Sequence, residues 1–233
     1  QNKFDYTDIG GQPYSANLFH EYAHEWFANK VTNKDWAHMW IQEGIATYAE
    51  ALIHFELGGQ AAYDDLINRH RRSIRAKKPM VGAEELSEDE TYNGNDIYTK
   101  GSFFMHSLRY VLGDEIFLPT LKKLATDPKY TYDQFVTTQD VEQLFSMEAK
   151  QDLKPLFDFY TRTNDVLDIA VKEVGAGKFS IKLNNFFMAL PMDITTEKGT
   201  TKMLIPKEGI TVQSAFPPQV DLKNNYLKKI SIQ

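Results

Sequence analysis

Apolar residues recur every three or four positions through most of the first two thirds of this chain. Leu18, Tyr22 and Trp26 show the spacing most clearly, and Ser15 stands before them in the position of an N-cap. Later in the chain, paired glycines interrupt the pattern, as is typical of a helix end. The pattern predicts helices over residues 15–29, 39–57, 60–75, 98–112, 114–126, 138–149 and 152–163, with a surface loop over residues 77–96.

In the last third of the chain, apolar and polar residues alternate instead. Residues 179–183, F-S-I-K-L, are an example, and glycine-containing turns at residues 197–199 and 207–209 separate such segments. Short strands with turns at this spacing predict a small β-sandwich. We therefore predict an α+β protein, with a mainly helical domain over residues 1–164 and a β-sandwich domain over residues 165–233.

The composition is that of an ordinary globular protein, with 42% hydrophobic and 25% charged residues. The net charge of −6 gives no general attraction to nucleic acid or anionic lipid. No apolar run approaches the ~18 residues of a membrane helix. The absence of cysteine excludes disulfides, thiolate catalysis and cysteine-rich zinc sites, and leaves both a periplasmic and a cytoplasmic location open. We expect no nucleic-acid partner and no membrane segment in this chain.

The first predicted helix carries the letters H-E-Y-A-H, from His20 to His24. On a helix the two histidines lie one turn apart on the same face, so both imidazoles can bind one Zn²⁺. Glu43 follows after 18 intervening residues, on the next predicted helix. We predict one zinc ion per chain with His20, His24 and Glu43 as ligands and a fourth position for water. Glu21 is the predicted general base and acid, which takes the proton of that water and passes it to the leaving amine.

These segments resemble the gluzincin zinc metallo-aminopeptidases, the family of aminopeptidase N and the leukotriene epoxide hydrolase. That family has H-E-x-x-H, 18 residues and then the glutamate of W-L-x-E-G-x-A, and this chain has W-I-Q-E-G-I-A at the same spacing. Further on, Y-T-K-G, from Tyr98 to Gly101, resembles the family's Y-x-K-G segment. The resemblance implies a thermolysin-like zinc peptidase lobe, in which Tyr98 stabilises the oxyanion of the tetrahedral intermediate.

Two further polar residues share a helical face with Glu43. They are Thr47 and Glu50, and either can hold a ligand histidine through its second ring nitrogen. The resemblance supports Glu50, since relatives carry a carboxylate near the zinc at the matching position. A solvated glutamate on the surface of a helix is the alternative interpretation of Glu50.

The chain departs from the family pattern before the first histidine. Relatives carry a G-x-M-E-N segment upstream, on a β-rich N-terminal lobe, and its glutamate holds the free amino group of the substrate. Only 19 residues precede His20, and they contain no such segment. We therefore expect this chain, which begins with Gln1, to be a fragment that lacks the N-terminal β-rich lobe of its parent protein and to have feeble activity alone.

The function expected from the motifs is release of N-terminal residues from a peptide substrate by zinc-activated water. A zinc endopeptidase with the same site is one alternative, since the missing segment leaves exopeptidase specificity open. A non-catalytic, zinc-organised interaction module is another. The presence of Glu21 and Tyr98 argues against the second alternative, because such a module needs neither residue.

Overall fold

A computed structural model of the protein describes residues 6–85, 87–92 and 96–233. They form two compact units that divide between Asn164 and Asp165. The first unit is mainly helical and the second is built from strands, so the predicted α+β class is confirmed. Among the described residues, none of the helices combines the length and the apolar character that a membrane crossing requires.

Helices make up most of the first unit. They are α1 (Ala16–Ala23), α2 (Trp40–Ser73), α3 (Glu88–Tyr92), α4 (Asp96–Leu112), α5 (Asp114–Thr126), α6 (Thr138–Ala149) and α7 (Lys154–Phe157), with a 3-10 turn at Trp36–His38 and a π-helical turn at Asp158–Arg162. The unit also contains two pairs of short strands. The strands β1 (Thr7–Ile9) and β2 (Gln12–Tyr14) form an antiparallel hairpin before α1, and β3 (Thr32–Asn33) pairs in parallel with β4 (Phe135–Val136).

The helix that carries H-E-Y-A-H is shorter than predicted. It ends at Ala23, and the chain continues in irregular turns instead of running on as α-helix to residue 29. The cause is a change in backbone hydrogen bonding. The N–H of Asn29 donates to the carbonyl of His24 at 2.9 Å and that of Val31 donates to Trp26 at 2.8 Å, so each bond spans five residues instead of four.

The other predicted helices are present, and α5 and α6 have the predicted bounds. The second and third predicted helices form one element, α2, with a kink at Gly59, whose φ of +67° glycine adopts without strain. The predicted surface loop contains the short helix α3, while its residues 86 and 93–95 lie outside the described residues. The helix predicted over residues 152–163 is divided into α7 and the π-helical turn.

Helices α2 and α4 pack against each other in the centre of the first unit. Gly44 and Gly101 meet at the point where the two helices cross. A Cβ atom added to Gly44 would lie only 2.8 Å from the Cα of Gly101. The two backbones can touch only because neither residue has a side chain. Glu43 precedes one of these glycines and Tyr98 stands one turn before the other. Buried aromatic side chains surround the crossing: Trp40, Tyr48, Phe103, Phe104, Phe117 and Phe145.

The second unit is a small β domain with two sheets. Its strands are β5 (Leu167–Gly175), β6 (Lys178–Leu183), β7 (Leu190–Thr196), β8 (Gly199–Ile205), β9 (Ile210–Gln213), β10 (Gln219–Val220) and β11 (Lys228–Ile232). They form a four-stranded sheet in the order β11-β5-β6-β9 and a three-stranded sheet in the order β10-β7-β8. Leu167, Ile169 and Val171 of β5 are buried in alternation, as a strand with one face on a core requires. The predicted β domain is thereby confirmed.

Replacing Gly44 by alanine is expected to lower the free energy of unfolding by about 2–3 kcal/mol, since the new methyl group forces α2 and α4 apart. Chemical denaturation followed by circular dichroism measures this, because the helices of the first unit and the strands of the second both contribute to the signal. Gly175→Ala is the control, as a Cβ there meets no atom closer than 3.8 Å. Equal effects of the two substitutions would contradict the close approach of the helices.

Candidate metal centre

Helix α1 brings two imidazoles together. His20 lies in its last turn and His24 is its C-cap residue. Their rings lie 4.7 Å apart at an angle of 87°, and their two Nε2 atoms are 3.1 Å apart. Two imidazoles that aim the same nitrogen at one point are arranged as ligands of a common ion.

Glu43, in the first turn of α2, supplies a third donor atom. Its Oε2 lies 3.2 Å from Nε2 of His20 and 3.4 Å from Nε2 of His24. A tetrahedral zinc ion with bonds of about 2.05 Å has ligand atoms about 3.3 Å apart. The three donor atoms already have this spacing. The residues present therefore fit a zinc ion without any movement of the backbone.

The second nitrogen of each imidazole has its own partner. Nδ1 of His20 lies 3.0 Å from Oε1 of Glu50, and Nδ1 of His24 lies 2.9 Å from the backbone carbonyl of Phe27. Both partners are acceptors, so each Nδ1 carries a proton, and Nε2 is the nitrogen whose lone pair a bound metal ion would use. This is the tautomer that a metal-binding histidine needs.

The two polar residues predicted beside the ligands have different partners. Glu50 is buried, and its second oxygen accepts a hydrogen bond of 3.3 Å from the hydroxyl of Tyr14. Thr47 donates to the backbone carbonyl of Glu43 at 2.7 Å, so its hydroxyl is engaged within its own helix. Sequence analysis missed Tyr14, because its contact with Glu50 joins residues 36 positions apart and belongs to no motif.

Two tyrosines stand on the Glu43 side of the ligand cluster. The hydroxyl of Tyr92 donates to Oε1 of Glu43 at 3.1 Å. The ring of Tyr98 lies 6.0 Å from the ring of His20 and 6.3 Å from that of Tyr92. Tyr98 was predicted from its motif, whereas Tyr92 was missed because it lies in the predicted surface loop and no motif includes it.

Glu21 is exposed on α1, directly after the first ligand histidine. Its charge acts on Tyr98: burial, the charge of Glu43 and, to a smaller extent, the charge of Glu21 raise the pKa of the Tyr98 hydroxyl above its ordinary value. Tyr98 therefore keeps its proton at neutral pH and remains a hydrogen-bond donor. Glu21 and Tyr98 thus lie within electrostatic range of each other at the ligand cluster.

The ligand groups of the metal-free protein stabilise one another's charges. Burial disfavours the charged form of His20, but hydrogen bonds to Glu43 and Glu50 outweigh it and raise its pKa to about 9. The hydrogen bond to Glu43 also raises the pKa of His24. Burial opposes the charge of Glu43 as well, yet the two histidines lower its pKa to about 2. A half-buried cluster that favours positive charge this strongly suits a divalent cation.

Comparison with known proteins identifies the family to which a chain with these candidate metal ligands belongs. Residues 12–160, more than half of the chain, match the model of the peptidase family M1 domain. The chain belongs to peptidase family M1. The matched residues include His20, Glu21, His24, Glu43 and Tyr98. The gluzincin aminopeptidase resemblance predicted from the motifs is thereby confirmed.

Relatives of this M1 chain are much longer than the chain itself. It is 33% identical to mouse (Mus musculus) aminopeptidase B over an alignment of 111 positions, which covers 42% of this chain and 17% of that protein. It is 30% identical to human (Homo sapiens) aminopeptidase RNPEPL1 over 141 residues, which are 60% of this chain and 19% of that protein. The chain therefore spans less than a fifth of these curated relatives.

A crystal structure shows the same fold. Legionella pneumophila aminopeptidase A, in complex with aspartic acid, superimposes with a TM-score of 0.75 over 94% of the M1 chain and 27% of its own chain. The two sequences are 17% identical, so this similarity concerns the fold alone.

The metal-free M1 chain is expected to lose stability as the pH rises from about 6.5 to about 9. The folded-state pKa of His20, about 9, lies above the ordinary value of 6.5. The folded state therefore holds this proton more tightly, and the stabilisation is complete below about pH 6.5 and lost as the pH passes about 9. Chemical denaturation of chelator-treated protein across this range measures it.

His20→Ala is the control for this pH dependence and is expected to flatten it. Zinc-loaded protein is expected to lose this decline, since zinc displaces the His20 proton and above about pH 6.5 neither the folded nor the unfolded state then holds it. A metal-free chain whose stability rises over this range would contradict the assignment of a raised pKa to His20.

Proposed function

We propose that this chain carries the catalytic centre of a zinc-dependent aminopeptidase, which releases N-terminal residues from peptides. The observation that carries the proposal is the convergence of three donor atoms, 3.1–3.4 Å from one another, beside a carboxylate and a protonated phenol. Membership of family M1 and the names of the relatives support it. One zinc ion per chain is held by Nε2 of His20, Nε2 of His24 and the carboxylate of Glu43.

The ligand residues prepare the site for water activation. When bound, zinc lowers the pKa of a water molecule from ~15.7 towards about 7 and polarises the carbonyl that is attacked. His20 and His24 contribute neutral nitrogens because their Nδ1 protons are donated outwards. Glu43 contributes the single negative charge of the ligand set. The centre therefore keeps a net positive charge, which the reaction requires.

Glu21 is the residue that moves protons. It is a carboxylate next to a ligand but outside the ligand set, and it is exposed to water and substrate. It accepts the proton of the attacking water and then delivers it to the nitrogen of the leaving amine. A carboxylate suits this role because its oxygens can accept a proton and then return it.

Tyr98 stabilises the charge that develops on the substrate carbonyl oxygen. Its hydroxyl stays protonated because burial and neighbouring negative charge raise its pKa. A donor of this kind contributes about 3 kcal/mol to transition-state stabilisation. Tyr92 acts on a ligand instead, because its hydroxyl binds Oε1 of Glu43 and leaves Oε2 directed at the two imidazoles.

Recognition of the peptide N-terminus is part of the proposal. An aminopeptidase must bind the free amino group of its substrate, and the residues before His20 contain no G-x-M-E-N segment for that purpose. We propose that a β-rich lobe of the parent protein supplies this group. The greater length of the relatives is compatible with such a lobe.

Metal analysis of protein purified without chelator is expected to give one zinc ion per chain. Glu21→Gln should keep the zinc and slow hydrolysis of an aminoacyl anilide by about 10²–10⁴-fold, since it removes the proton acceptor. Glu25→Gln, at an exposed glutamate of the same segment, is the matched control and should change neither property. Because turnover by this chain is expected to be slow, the rate of each variant is expressed as a ratio to the wild-type rate.

The outcomes of this experiment separate the hypotheses. Protein without stoichiometric zinc would remove the metal site from the proposal. Bound zinc together with equal rates for the wild type and Glu21→Gln would favour the non-catalytic module, in which zinc serves only the fold.

Peptides with free and N-acetylated termini distinguish an aminopeptidase from an endopeptidase. In the parent protein, whose proposed β-rich lobe binds the free amino group, we expect cleavage of the free peptide and at least about tenfold slower cleavage of the acetylated one, since a lost charged hydrogen bond costs about 1.5–3 kcal/mol. Mass spectrometry of the products gives both the rate and the bond cleaved. Equal cleavage of the two peptides at internal bonds would replace the aminopeptidase proposal by the endopeptidase.

A further inference from the structure

The β1–β2 hairpin is fixed to the kink of α2 by close backbone contact. Gly10, in the turn of the hairpin, has a φ of +61°, and a Cβ there would lie 1.9 Å from the carbonyl oxygen of Leu57. Cγ2 of Ile9 approaches Gly58 so closely that a Cβ on that glycine would lie 2.9 Å from it. This contact leaves the hairpin little freedom, so β2 delivers its last residue, Tyr14, to a fixed position.

Two other rings pack against the ring of Tyr14. Tyr14 is only 2% exposed. Phe19 stacks on it with ring centroids 5.1 Å apart and planes at 6°, and His54 meets it edge-on at 4.7 Å. These contacts restrict the ring, and its hydroxyl donates to Oε2 of Glu50 at 3.3 Å.

Glu50 connects Tyr14 to the metal ligands. Its Oε1 faces Nδ1 of His20 at 3.0 Å, while its Oε2 faces the Tyr14 hydroxyl. Because the two oxygens have different partners, rotation of the carboxylate breaks both hydrogen bonds together. We propose that Tyr14 is a positioning residue of the metal centre, which holds Glu50 so that His20 keeps its Nε2 directed at the zinc ion. This inference rests on the proposed zinc site.

A cleft adjoins Glu50, and the hydroxyl of Tyr14 keeps the Glu50 carboxylate from turning into it. The cleft has a volume of about 540 Å³, and its lining includes Tyr14, Glu50, His54, Asp65 and Arg69. Without the hydroxyl, Oε2 of Glu50 borders this cleft with no fixed donor, and the carboxylate can turn towards solvent. A water molecule that took the place of the hydroxyl would restore the contact but not its fixed direction.

The test compares zinc dissociation constants of the wild type, Tyr14→Phe, Glu50→Gln and the double variant, by competition with a chromophoric chelator. Tyr14→Phe keeps the stacked ring and removes only the hydroxyl. We expect it to weaken zinc binding about threefold to tenfold, less than the ~10–100-fold expected for Glu50→Gln, which contacts the ligand itself. The double variant is expected to bind as Glu50→Gln does, since Tyr14 acts through Glu50.

Tyr226→Phe is the matched control. This substitution also removes the hydroxyl of a buried tyrosine. That hydroxyl donates to the carbonyl of Pro191 at 2.6 Å, and both residues belong to the other compact unit. It should lower thermal stability without changing zinc affinity. The inference alone would be overturned if the zinc dissociation constant of Tyr14→Phe lay within twofold of the wild-type value. It would also be overturned if the losses of zinc affinity in the two single variants multiplied in the double variant. Wild-type protein that binds no zinc would overturn both the inference and the proposed function.

Discussion

The contact between the backbones of Gly44 and Gly101 is the constraint on which the candidate site depends. It lets α2 and α4 approach more closely than any side chain permits, at a point one residue from Glu43 and one turn from Tyr98. The carboxylate from one helix thus reaches both imidazoles, and the phenol from the other lies beside that of His20. Lys100, fully buried beside this contact, donates to the carbonyl of Thr163 at 2.8 Å and ties α4 to the end of the helical unit.

A second constraint is electrostatic. Glu43 is buried beside two imidazoles, and a buried carboxylate is stable only when cations or donors surround it. In the metal-free protein, the proton on His20 helps to fulfil this need, as the opposite shifts of the pKa values of Glu43 and His20 express. A divalent cation fulfils it better, because it neutralises the carboxylate and leaves the imidazoles neutral. The fold therefore places a buried carboxylate where a metal ion can stabilise it.

The parts of the site that depend on local spacing were predictable from the sequence. His20 and His24 share one helical face, and the bounds of α6 follow from its capping box at Thr137. Glu43 and Tyr98 were found through their motifs. Tyr14 and Tyr92 were not, because their positions follow from how the hairpin and α3 pack on the rest of the unit. Such contacts leave no periodic signal in the chain.

The early end of α1 shows why one wrong prediction matters for the chemistry. In a regular helix the N–H of Val31 would bind the carbonyl of Phe27, four residues earlier. Here that N–H binds Trp26 instead, and the carbonyl of Phe27 accepts the Nδ1 proton of His24. The widened turn thus fixes the tautomer of the second ligand, as Glu50 does for the first. Local periodicity favours a continued helix, whereas the candidate metal centre uses the carbonyl of Phe27 as an acceptor. The departure from regular helix geometry therefore lies where the site competes with helix propensity.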